Sequence, residues 1–142
     1  MYSRILVPVD LTETDDMVLP HVVALAQAFG GEVLLLRVAH YHTRDQRGHE
    51  LNAAREHLDA RVKELAEQGC AARAIIAHGE VVETIISTAE AEQVDLIAMA
   101  GHGHSHLAGW LLGSTIEDVR HRCAAPLLLV RGPREPGRRT GS

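Results

Sequence analysis

The sequence predicts an α/β fold, a single doubly wound five-stranded parallel sheet with helices on both faces, and three observations predict it. Short apolar runs rich in branched residues alternate with segments whose apolar residues recur at three- and four-residue spacing. Each strand–helix–strand passage needs a crossover, which makes consecutive strands parallel and covers the sheet on its two faces. The chain has 142 residues and shows no internal repeat, a length at which one domain buries a core without staples. The expected organisation is a domain over residues 1–132 and a mobile tail over 133–142, where PREPGRRTGS is rich in Pro, Gly and Arg.

The first strand is expected at Ile5 to Val9, an apolar run bounded by Pro8 and Asp10 that reads as buried on both faces. Thr12, Thr14 and Asp16 offer caps for a helix from Met17 to Phe29, whose stripe is Val18, Val22, Leu25 and Phe29 and whose stop is Gly30-Gly31. Pro20 fits only near the first turn of that helix. Val33 to Val38 reads as the second strand, and the polar stretch HYHTRDQRGH after it as a loop without period. A long amphipathic helix follows with the stripe Leu51, Ala54, Leu58, Val62 and Leu65, ending at Gly69. The remaining elements are a strand from Cys70 to Ala77, a helix from Val81 to Ala91, a strand from Val94 to Ala100, a helix from Ser114 to Cys123 and a last strand from Leu127 to Val130.

Composition narrows the function. A formal charge of -5, with Lys63 the only lysine, opposes nucleic-acid binding, which needs a basic face for the phosphates. Cys70 and Cys123 are the only cysteines and suggest neither a disulfide framework nor a paired metal motif, so a reducing compartment is expected. MYSRILVPVD reaches an aspartate before a signal-peptide apolar region forms, and no run of 18 apolar residues occurs. The expectation is a cytoplasmic protein with no membrane insertion.

The chemistry concentrates in MAGHGHSHLAGWLLGST, Met99 to Thr115, which leaves a strand, passes through glycines and polar residues, and enters a helix at Gly113-Ser114. Unsatisfied N–H groups and the positive dipole end make a helix start suitable for phosphate, and glycines let an anion approach the main chain. Such a site needs no lysine. The alternative is that Gly101, Gly103 and Gly113 merely turn the chain and Ser114 caps a helix. Asp10 has the same two readings, as a ligand contact at the crevice or as a turn-forming aspartate.

The segment resembles the universal stress protein family, whose nucleotide-binding members carry G-x2-G-x9-G followed by Ser or Thr. Ala100, Gly103, Gly113 and Ser114 stand at that spacing, with Ala100 in place of the first glycine. ILVPVD, LPHVVALAQAFG, LLLRVAH and CAAPLLLVR are similar to family phrases as well, so the resemblance spans almost the whole chain. It implies a Rossmann-like sheet of the adenine nucleotide alpha hydrolase type, with strand order 3-2-1-4-5. It also implies ATP, with Mg2+ shared between phosphate oxygens. Asp10 would face the ribose or adenine, Pro8 and Val38 would line the adenine slot, and Val9 would belong to the nucleotide site as well. Met99 would contact the nucleotide, and Ala100, Gly101, His102, Gly103, His104, Ser105 and His106 would follow the phosphates with the motif glycine Gly113 and the turn Ser114, Thr115 and Ile116.

His102, His104 and His106 form H-x-H-x-H, read here as a solvated or phosphate-facing loop in preference to a metal site because no Cys or acidic residue flanks it. A receiver domain would need a lysine at its last strand, and a P-loop enzyme G-x4-G-K-[ST]; neither is present. The resemblance therefore implies a nucleotide-dependent sensor or modulator of an unidentified regulatory partner, with no catalytic residues assigned. The rivals are a slow ATP hydrolase using the histidines and a partner-binding module that has lost its nucleotide, for which Ala100 speaks. Leu127 to Val130, an apolar strand at the end of an open sheet, is expected to pair two copies into a homodimer.

Overall fold

Alternating side-chain direction along strands buried on both faces divides the core of the protein, seen in a computed structural model that describes residues 1–11, 13–39, 44–100 and 113–131, into two layers. The order is β1 (Arg4–Pro8), α1 (Asp15–Phe29), β2 (Glu32–Ala39), α2 (Arg44–Glu67), β3 (Ala72–His78), α3 (Val81–Ala91), β4 (Leu96–Ala100), α4 (Gly113–Arg122) and β5 (Leu127–Val130). All strand pairs are parallel, in the order β3-β2-β1-β4-β5. This is the expected sheet.

Side chains two residues apart share a face of a strand. Ile5, Val7, Val33, Leu35 and Ala98 thus face one way and meet Val18, Val22 and Ala26 of α1 with Leu58 and Leu65 of α2. Leu6, Leu34, Leu36, Ile97 and Met99 face the other way and meet Val82, Ile85 and Ile86 of α3 with Ile116 and Val119 of α4. Each large aliphatic side chain so enclosed contributes about 1.5–3 kcal/mol, which is why the central strands carry almost no polar residue.

Several boundaries differ from expectation. α1 begins at Asp15, which places Pro20 in the second turn, where it forgoes a main-chain N–H yet the helix continues. Its buried stripe is Val18, Leu19, Val22, Val23 and Ala26, whereas Phe29 is exposed and meets Tyr2 edge to face at 5.3 Å. Thr14 occupies the N-cap without a side-chain capping bond. The stretch expected as a loop is helical from Arg44 onward: Arg, Gln and Glu favour helix even where no apolar stripe marks it. The expected tail, 133–142, lies outside the described residues.

Candidate functional site

Open parallel sheets leave a crevice at the carboxyl ends of their strands where the strand order reverses. Here that reversal falls between β1, which leads through α1 to β2 on one side, and β4 on the other. Their registered pairs are Ile5–Leu96 and Leu6–Ile97, whereas β1 runs on to Pro8 and β4 to Ala100. Both carboxyl ends extend past the shared ladder and flank the crevice. A cavity of about 410 Å³ lies at the opposite edge of the sheet, between Ala89, Val94, Asp95, Cys123 and Pro126, and none of the expected site residues lines it.

Pro8, Val9 and Asp10 lie buried at the end of β1, Val38 near the end of β2, and Met99 and Ala100 at the end of β4. The structure thus gathers these six at one edge. Met99 and Val38 turn their side chains into the layer under α3 and α4, where Ile116 joins them from the first turn of α4. The Ala100 methyl points into the opposite layer, beside Val9 and Val130, and is 2% exposed. Gly113, Ser114 and Thr115 form the start of α4 with Ile116. Gly101, His102, Gly103, His104, Ser105 and His106 lie outside the described residues. Among the described residues, no three His, Cys, Asp or Glu side chains gather as a metal-binding group, and no helix is long and apolar enough to cross a membrane.

Asp10 is held by a partner that sequence reasoning missed. The Val9 N–H still donates to the Leu36 carbonyl of β2 at 2.8 Å. The next two N–H groups then leave the sheet: that of Asp10 donates to Asp15 Oδ1 at 3.2 Å and that of Leu11 to Asp15 Oδ2 at 3.0 Å. Leu11 adopts φ 63°, a left-handed conformation costly for a residue with a Cβ. Asp15 and Asp10 are only 4% and 7% exposed. Burial pushes the Asp15 carboxyl up to about 7, with the Asp10 charge adding to the rise, while the two N–H bonds and Arg61 pull the other way.

The profile of the universal stress protein family matches residues 1–131. The chain belongs to the universal stress protein family. Among curated members, Universal stress protein MJ0577 of Methanocaldococcus jannaschii is 32% identical over 92% of this chain and 96% of its own length. The solved structure of MJ0577 superposes with a TM-score of 0.76 at 33% identity, covering 95% of this chain and 99% of that one. The Archaeoglobus fulgidus universal stress protein solved in complex with dAMP shares the fold at a TM-score of 0.72 and 19% identity, covering 91% of this chain and 98% of that one.

Within this family member, the only sequence signal for Asp15 is an acidic residue in the first helical turn, which ordinarily reads as a favourable dipole charge. Its bonds to Asp10 and Leu11 depend on the chain doubling back through a left-handed leucine. No spacing rule announces that.

Proposed function

We propose that this universal stress protein binds ATP, with Mg2+, in the crevice between β1 and β4, and acts in the cytoplasm as a nucleotide-dependent stress-response regulator of a partner protein. The observation that carries the reading is the reversal of strand order there, with the ends of β1, β2 and β4 and the amino end of α4 converging on one edge. Asp10 supplies a ribose or adenine acceptor beside the apolar wall of Pro8, Val9 and Val38. The phosphates follow the main chain of Ala100 to His106 and the first turn of α4, Gly113 to Ile116, where the positive end of the helix dipole serves in place of lysine. The Ala100 methyl is taken up by the core, which supports retention of the site despite the missing glycine. A relative of the same fold, solved with dAMP, points in the same direction.

The reading assigns no catalytic residue, and any ATP turnover is slow. Two copies associate through β5, the last of the described strands.

The only tryptophan, Trp110, falls between Gly103 and Gly113, so titration with MgATP is expected to change its fluorescence saturably. Gly103→Val, which puts a branched side chain where the phosphates are proposed to lie, is expected to abolish the change. Absence of both a fluorescence change and calorimetric heat in the wild type, with ATP, ADP and AMP, would refute the assignment.

A further inference from the structure

We propose that Asp15 is the positioning residue of this crevice: its buried carboxylate fixes the main chain at Asp10, and binding of an anionic nucleotide is coupled to uptake of a proton by Asp15. The proposal rests on the nucleotide reading and adds a regulatory property to that site.

The geometry begins with two adjacent N–H groups, those of Asp10 and Leu11, converging on the two oxygens of one carboxylate at 3.2 and 3.0 Å. That fork holds Leu11 at φ 63° and so fixes where the Asp10 side chain leaves the end of β1. Asp15 therefore acts through Asp10 and need not touch the ligand. Its surroundings decide what its charge does. Asp10 faces it from the end of β1, and the Arg61 charge of α2 also acts on it, that guanidinium being bonded to Asp16 Oδ1 at 2.7 Å and to Glu64 at 3.4 Å. β2 brings Arg37, on the same side of the sheet as Val33 and Leu35, and β3, two strands away, brings His78. β4 and β5, which also meet α1, have no ionisable residue.

Two ionised carboxylates beside the crevice oppose a polyanionic ligand, and one proton removes half of that opposition. Burial and the neighbouring Asp10 place the Asp15 titration at about 7, so the proton is available under ordinary conditions. By linkage, a nucleotide that binds the protonated form more tightly must raise the proton affinity of Asp15 on binding.

The experiment compares the full-length wild type with Asp15→Asn, which keeps the shape and one acceptor oxygen but carries no charge. Calorimetry with MgATP at pH 6 to 8, in buffers of different ionisation enthalpy, reports both affinity and protons taken up. The titration of ATP itself is common to the two proteins. Wild-type affinity is expected to fall roughly three- to ten-fold more than that of Asp15→Asn between pH 6 and 8, with extra proton uptake near pH 7.

Chemical denaturation gives a second readout that does not involve the ligand. The folded-state value lies above the ordinary 3.8, so the stability linked to this proton is full below 3.8 and is lost as the pH rises through about 7. Asp15→Asn should lack that slope. Parallel pH profiles of affinity or of stability in the two proteins overturn the coupling while leaving nucleotide binding intact. Failure of both proteins to bind MgATP at every pH overturns the nucleotide reading and the proposal together.

Discussion

At the scale of single residues, Gly30 and Gly31 look interchangeable in the sequence and are not so in the structure. Gly30 closes α1 in the left-handed region, φ 68°, with nothing within 4 Å of where a Cβ would stand. A Cβ on Gly31 would lie 2.2 Å from the Tyr2 carbonyl oxygen, a main-chain atom beside the start of the β1–β2 ladder. Gly30→Ala should cost about 1 kcal/mol, from conformation alone. Gly31→Ala should cost more, about 1–3 kcal/mol, because backbone must move. Urea denaturation of the two variants checks the ranking. The sequence reads both glycines as a helix stop, and only the approach of Tyr2 separates them. Asp15 is a similar case, since its partners Asp10 and Leu11 are close in sequence but reach it only through an unusual backbone turn.

At the scale of elements, α3 shows how far local chemistry specifies a segment. Glu80, with φ -77° and ψ 137°, is its N-cap and accepts N–H bonds from Val82 at 3.3 Å and Glu83 at 2.8 Å. Thr84 Oγ donates to the Glu80 carbonyl at 2.6 Å. Glu80→Ala should therefore lower stability by about 1 kcal/mol and Glu80→Gln by less, measured by thermal unfolding. The limits of α3 were legible because Gly79 and Glu80 precede an apolar stripe of helical period. β5 was legible too, as Pro126 stands before four apolar residues. The start of α2 was not, because periodicity registers only helix that buries a stripe, and its first turns are polar. Likewise the sequence marked the crevice through Asp10 and Ala100 at strand ends, but the side of the sheet on which Ala100 and Met99 lie had to be read from the pleat.

At the scale of the whole molecule, the sheet has two unlike edges. β3 is overlain by α2, and its Arg73 is bonded to Glu32 at 3.2 Å and Glu92 at 2.5 Å. β5 carries Leu129 at 42% exposure. The Pro126 carbonyl accepts from Ile97 of β4, so by the alternation of a parallel strand the N–H of Leu128 addresses β4, while those of Leu127 and Leu129 address the side away from β4, which no other described strand pairs with. For the proposed homodimer, Leu129→Pro should dissociate the pair with the fold retained, whereas Leu128→Pro should damage the β4–β5 ladder itself. Sedimentation of both variants at micromolar concentration, alongside circular dichroism, distinguishes these outcomes.

The short ladder between β1 and β4 also divides the sheet into two leaves, one of three strands and one of two. Five registered pairs join β1 to β2, seven join β2 to β3 and four join β4 to β5, but two join the leaves. The seam is sewn at its amino end, where the Asp95 carboxylate accepts the N–H groups of Ser3 and Arg4, the Asp95 N–H donates to the Arg4 carbonyl, and the Arg4 guanidinium reaches the Glu92 carbonyl. The main-chain bonds between the leaves are thus gathered at the foot, near Asp95, while the packing of α1 on β2, β4 and β5 spans them from one face. The proposed ligand crevice thus lies at the end of the seam where the shortest main-chain ladder of the sheet has already stopped.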